Sequence, residues 1–172
     1  VLDEADEMLN MGFRDDIDFV LKNTINREST WLFSATMPPE VRAISKNYME
    51  NPKEVTVGKK NSGNVNIDHQ FFVVPASQRY EALKRLIDFN PGMYGIIFTR
   101  TKADAQEVSE RLAKSGYEIE ALHGDLSQQQ RDKVMGRFRS KNLQLLIATD
   151  VAARGIDVDG ITHVINFELP DD

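Results

Sequence analysis

The sequence predicts an α/β protein in which a largely parallel sheet is flanked by helices, and three observations predict it. Short apolar runs of strand length alternate with segments of helical periodicity. The helical segments between the runs have the length of βαβ crossovers. Residues with polar or charged chemistry cluster just after the apolar runs, where ligands bind in open parallel sheets.

In order along the chain, Val1-Leu2 ends a short apolar segment that enters a group of carboxylates. Residues 7–23 have helical spacing, with Met8, Phe13, Ile17, Val20 and Leu21 able to share an apolar face. Thr30-Trp31-Leu32-Phe33 reads as a short buried strand. Pro38-Pro39 opens a helix through Met49, since proline is tolerated in a first turn, and Asn51-Pro52 ends it. Residues 54–57 read as a short strand. The polar, aperiodic stretch 58–64 contains Gly58 and Gly63 and predicts a linker between residues 1–57 and residues 65–172. Beyond it, strands are expected at 69–74, 94–99, 119–122, 143–148 and 163–167. Helices are expected at 79–89, 102–114 and 128–138, the second closed by Gly116. No internal repeat of solenoid period is present.

Of the 172 residues, 41% are hydrophobic and 28% charged, a globular balance that excludes a largely disordered chain. Apolar runs such as Leu145-Leu146-Ile147-Ala148 are far too short to span a bilayer. The first residues have neither a basic start nor an apolar h-region, so no signal peptide is expected. The lack of cysteine excludes disulfides and cysteine-ligated zinc, and fits a reducing compartment. The net charge of −6 argues against a general nucleic-acid binder. That acidity is concentrated in residues 1–57, which hold 6 Lys/Arg and 11 Asp/Glu. Residues 58–172 hold 15 and 16, which leaves room for a local basic groove.

Asp3 and Glu4 follow the first apolar segment. At a strand end, Asp3 is placed to hold Mg²⁺ directly or through water, and Glu4 to orient and deprotonate an attacking water. Magnesium keeps several of its waters, so one or two carboxylates suffice. The same pair suits the first turn of a helix through the helix dipole, and taken alone it leaves both readings open. Ser34 or Thr36 could cap the helix opened by Pro38-Pro39. Thr101 with Asp104, and Ser127 with Gln130, read as capping boxes. Gly124 would give backbone freedom at a strand exit. His123 reads as a packed histidine, with no metal-ligand spacing around it. Arg154 could form a salt bridge to Asp150 or Asp157.

The spacing of these groups resembles the DEAD-box ATP-dependent RNA helicases of superfamily 2. Val1-Leu2-Asp3-Glu4-Ala5-Asp6-Glu7-Met8-Leu9, followed by Gly12-Phe13, looks like the family's motif II, and Ser34-Ala35-Thr36 like motif III. Ile96-Ile97-Phe98-Thr99-Arg100-Thr101 looks like motif IV, and Gln128 with Arg131 like the Gln-x-x-Arg motif. Leu146-Ile147-Ala148-Thr149-Asp150-Val151-Ala152-Ala153-Arg154-Gly155-Ile156-Asp157 looks like motif V. The motifs occur in the family's order and cover essentially the whole chain.

The resemblance implies a RecA-like fold, with the end of lobe 1 in residues 1–57 and most of lobe 2, truncated at its C-terminal end, in residues 65–172. It implies ATP and Mg²⁺ as cofactors, and RNA bound through backbone and 2′-OH with little regard to sequence. It implies catalytic roles for Asp3 and Glu4, with Asp3 the Mg²⁺ anchor. Gly155 and Asp157 would meet the nucleotide ribose and phosphates. Ser34 and Thr36 would bond toward Asp6 and couple ATP state to RNA binding, while Asp150 and Arg154 organise the loop joining the two sites. Thr99, Arg100, Gly124, Gln128, Arg131 and Thr149 would form or support the RNA surface. A cytoplasmic location is the default. The 172 residues contain neither a Gly-x-x-x-x-Gly-Lys-Ser/Thr phosphate loop nor an arginine-rich His-Arg-x-Gly-Arg motif, so these residues alone are expected to be catalytically incompetent. Two other readings are a non-catalytic RNA- or protein-docking module and a DNA helicase of the same superfamily; Asp-Glu-Ala-Asp with Ser-Ala-Thr disfavours the second.

Overall fold

The computed structural model describes residues 1–57 and 66–169, so the linker expected at 58–64 lies outside the described residues. The chain divides into two compact units, Val1–Asp68 and His69–Asp172.

The first unit contains α1 (Ala5–Asn10), α2 (Arg14–Asn23) and α3 (Pro39–Tyr48). The single helix expected at 7–23 is therefore two. Gly12 sits at φ +82°, a left-handed conformation that suits glycine, and its N–H bonds back to the Leu9 carbonyl at 2.9 Å, closing α1. The break resets the helical phase. Ile17 and Leu21, four apart on α2, are buried with Ile44 of α3, and Met8 packs at their margin. Phe13 and Val20, expected on the same face, are 43% and 56% exposed. The buried strand expected at 30–33 shrinks to one parallel bridge, Leu2 to Leu32. Leu32 is half-buried, but Trp31 and Phe33 point outward and stack on each other at 6.4 Å. Residues 54–57 form no strand. The helix opened by Pro38-Pro39 forms as expected.

The second unit is built on a four-stranded parallel sheet in the order β2-β3-β1-β4. The strands are β1 (Gly95–Thr99), β2 (Ile119–Leu122), β3 (Leu145–Thr149) and β4 (His163–Asn166). Parallel neighbours need crossovers. α5 (Lys102–Lys114) joins β1 to β2, α6 (Gln128–Arg139) joins β2 to β3, and the connection from β3 to β4 holds the short α7 (Asp150–Ala153). α4 (Arg79–Phe89) precedes β1. Alternate residues of β3 face opposite layers. Leu145 and Ile147 pack with Leu83, Ile87, Val108 and Leu112 of α4 and α5. Leu146 and Ala148 pack with Val134 and Phe138 of α6. Burial on both faces accounts for the unbroken apolar run. Gly95 is required by close approach: a Cβ there would lie 2.7 Å from the His163 carbonyl oxygen of β4.

The strand expected at 69–74 does not form, and Phe71 and Val73 are exposed. Its β-branched and aromatic composition expresses a fit to neighbouring strands rather than a backbone preference, and among the described residues it joins no sheet. No helix of the described residues is long and apolar enough to cross a membrane.

Candidate functional site

In the first unit, two hydrogen bonds around the Leu2–Leu32 bridge align the acidic segment with residues 31–33: Leu2 N–H to Trp31 O (2.7 Å) and Phe33 N–H to Leu2 O (2.8 Å). The chain then turns at Glu4, which has φ 51° and ψ 45°. A left-handed non-glycine residue costs on the order of 1–3 kcal/mol and persists only where its surroundings over-determine it. Here the turn leaves the Asp3 and Glu4 side chains in solvent while Ala5 and Asp6, next in sequence, are buried. The Glu4 N–H donates to Asp3 Oδ1 at 2.9 Å. Among the described residues no three His, Cys, Asp or Glu side chains gather into a metal-ligand group. An exposed carboxylate such as Asp3 still fits an ion that binds one or two carboxylates and keeps its waters.

Asp6 is 5% exposed. Its Oδ2 accepts from both the Thr36 N–H and the Thr36 hydroxyl, each at 2.7 Å. Its own N–H donates to Ser34 Oγ at 3.2 Å. Burial pushes the carboxyl up, but the bonds from Thr36, Ser34 and the local backbone together outweigh it and hold the group below the usual aspartate range. The expectation that Ser34 or Thr36 caps α3 is corrected. Pro38 occupies that N-cap with no side-chain bond, and Thr36 is turned toward Asp6. Ser34 instead satisfies a first-turn N–H of α1, a capping bond made across 28 residues.

In the second unit, the remaining candidates lie at or just beyond the carboxyl ends of the strands. Thr99 and Thr149 are in register at the ends of β1 and β3. Thr99 is 2% exposed, and its hydroxyl donates inward to the Thr101 carbonyl at 3.3 Å. Arg100, next along, is exposed. Thr149 is half-buried, and its hydroxyl accepts from Ala152 N–H at 3.4 Å, capping α7. Arg131 Nη2 donates to the Ala152 carbonyl at 3.0 Å, tying α6 to the loop after β3. Gln128 pairs with Asp132 on its own helix at 2.8 Å. Asp150 and Asp157 are exposed and Arg154 half-buried. Gly155 at φ +71° makes the reversal between them. Gly124 is not left-handed, and a Cβ there would meet nothing within 4 Å, so the turn does not demand glycine. Ser127 with Gln130 forms the complete box expected, whereas Thr101 caps α5 by accepting from Asp104 N–H without the reciprocal bond of a box, because the Asp104 carboxylate accepts from the Thr101 hydroxyl. His123 is buried, with Nε2 3.2 Å from Gln106 Oε1, as a packed histidine would be.

Two family models match the chain. One, described as DEAD/DEAH box helicase, covers residues 1–44. The other, described as helicase conserved C-terminal domain, covers residues 78–172, more than half the chain. The chain belongs to the DEAD-box RNA helicase family. It is 43% identical over its full length to the ATP-dependent RNA helicase CshA of Limosilactobacillus reuteri, covering 35% of that protein. It is 44% identical to the DEAD-box ATP-dependent RNA helicase CshA of Geobacillus kaustophilus, covering 37%. Among solved structures, Dbp5 of S. cerevisiae bound to RNA and ADP BeF3 matches 98% of this chain, and 44% of its own, at 33% identity and a TM-score of 0.84. A DEAD box protein from Methanococcus jannaschii matches 98% of this chain, and 45% of its own, at 44% identity and a TM-score of 0.60. The chain thus spans about a third of the length of these curated relatives, and its helix-flanked parallel sheet is RecA-like.

Within this DEAD-box chain, an ion pair that no sequence spacing signals lies at the strand ends. Lys102 Nζ and Asp125 Oδ1 meet at 2.8 Å. Lys102 follows Thr101 directly and Asp125 lies three residues before Gln128, but 23 residues separate the pair, and only the sheet order brings them together. The Arg131 bond to Ala152 leaves no sequence signal for the same reason, since its acceptor is a backbone carbonyl 21 residues away.

Proposed function

We propose that the protein containing this chain is an ATP-dependent RNA helicase that couples ATP binding and hydrolysis to unwinding or remodelling of RNA duplexes. The observation that carries this reading is the pair of hydrogen bonds from Thr36 to the buried Asp6 carboxylate. It joins the acidic turn to the Ser34-Ala35-Thr36 segment 30 residues later, a juxtaposition a coupling device needs and a chance Asp-Glu helix start does not.

In this proposal Asp3 holds Mg²⁺ through its exposed carboxylate, directly or through water, and the ion supplies charge neutralisation for the transferred phosphoryl group. Glu4 orients the attacking water and takes its proton. Gly155 and Asp157 meet the ribose and phosphates of ATP. Arg100, Gly124 and Thr149 meet RNA phosphates, with Thr99 supporting from beneath. Gln128 and Arg131 brace that surface, and Arg131 does so through the Ala152 carbonyl. Asp150 and Arg154 organise the loop that links RNA to nucleotide. Binding through phosphates and 2′-OH groups would be largely blind to sequence.

The test is RNA-stimulated phosphate release by a parent protein carrying these residues, with Glu4→Gln as the comparison. Glu4→Gln is expected to abolish turnover while sparing ATP-dependent RNA binding; undiminished turnover would overturn the assignment. The 172 residues by themselves are expected to show negligible turnover, since they hold no His-Arg-x-Gly-Arg motif, which in the family carries the arginine finger, and loss of an arginine finger alone costs about 10³–10⁵ in rate.

A further inference from the structure

The Lys102–Asp125 pair has no part in the roles above. Lys102 is the first residue of α5, and Asp125 lies in the loop after β2. Their side chains are 61% and 60% exposed. Because β3 lies between β1 and β2, the pair spans the end of the sheet from which Thr149 emerges. Arg100 is two residues from one partner, and Gly124 adjoins the other. An ammonium is a compact charge suited to a single phosphate oxygen. A carboxylate at the same place repels a polyanion. The hydrogen bond from Lys102 holds the Asp125 carboxyl below the usual aspartate range, so the acid is charged at neutral pH.

We propose that Asp125 is an electrostatic gate on the RNA-facing edge: it holds Lys102 across the end of β3 and yields it to an RNA phosphate. The inference rests on the reading of that edge as the RNA surface. Exposed ion pairs are weak in water, so exchanging carboxylate for phosphate on the same ammonium is nearly balanced, and Asp125 lowers RNA affinity without blocking it. The other exposed pair on this helix, Arg111 with Glu107 at 3.4 Å, lies one to three turns further from the strand ends. It serves as an internal control, because Glu107→Gln removes one negative charge, as Asp125→Asn does, but from a pair set back along the helix that Lys102 begins.

The experiment measures binding of a fluorescent single-stranded oligouridylate to the 172-residue chain by anisotropy over a salt series. Circular dichroism of each variant verifies folding. Asp125→Asn is expected to tighten binding about two- to fivefold at low salt, the scale of an exposed pair. Lys102→Ala is expected to weaken binding and flatten the plot of log affinity against log salt by about 0.7, one single-strand phosphate contact. In the Lys102→Ala background, Asp125→Asn should give no such gain. An unchanged or weakened Asp125→Asn overturns the gate. So does an equal gain from Glu107→Gln or in the Lys102→Ala background, since either reduces the effect to net charge. A wild-type chain that binds RNA no better than a charge-matched control overturns the RNA-surface reading itself, and the gate with it.

Discussion

Thr36 gives two hydrogen bonds to one oxygen of Asp6, and a hydrogen bond to a charged group contributes about 1.5–3 kcal/mol. Thr36→Val keeps the backbone donor and the side-chain shape but removes the hydroxyl. The first unit of the chain should lose stability on about that scale. Trp31 is the only tryptophan and lies in this unit, so urea unfolding followed by its fluorescence reads the effect directly. The pH dependence has a definite sign. The Asp6 carboxyl is held down in the folded state, so its contribution is complete above the ordinary aspartate value of about 3.9 and is lost as pH falls through the lower folded value. Asp6→Asn should remove that part of the acid dependence of the Trp31 transition. Gly95 presents a steric case. Gly95→Ala would drive a methyl against the His163 carbonyl, which is backbone and cannot swing aside. A loss of about 1–3 kcal/mol is expected in the circular-dichroism unfolding of the second unit.

At the scale of elements, α6 begins with a complete capping box, in which Ser127 Oγ accepts from Gln130 N–H and Gln130 Oε1 accepts from Ser127 N–H. Ser127→Ala should cost about 1 kcal/mol, seen as a lower denaturant midpoint with an unchanged slope. α4 and α5 are clasped from outside their core. The Arg111 guanidinium lies 3.6 Å from the Tyr80 ring centroid, and the Tyr117 hydroxyl donates to Asp88. Burial, reinforced by Asp88, pushes the Tyr117 hydroxyl up to about 12. Its contribution is present below the ordinary tyrosine value of about 10 and is lost as pH rises through the folded value. Tyr117→Phe should therefore flatten the alkaline loss of stability in the second unit.

At the scale of the molecule, the two units differ in how much core they hold. The first buries Ile17, Leu21 and Ile44 together. The second sandwiches its sheet between two larger apolar clusters. Hydrogen exchange should find the slowest amides in β1 and β3, covered on both faces, and faster exchange throughout α2 and α3. Equal protection of α2 and β3 would contradict this ordering. The sequence alone determined the family, the α/β class, the helices at 79–89, 102–114 and 128–139 to within a residue, and the four central strands. These follow from local periodicity and capping, which sequence records directly. It also named the acidic turn and the polar strand ends as the places for chemistry. Only the tertiary structure decided that residues 69–74 and 54–57 join no sheet among the described residues, and that, of the two readings of Thr36, the bond toward Asp6 forms and the α3 cap does not. The tertiary structure alone also turned Thr99 inward and brought Lys102 to Asp125. A strand needs a neighbour, and a hydroxyl or an ammonium bonds to whichever partner the fold brings within reach. Both are settled across tens of residues, where sequence spacing carries no distance.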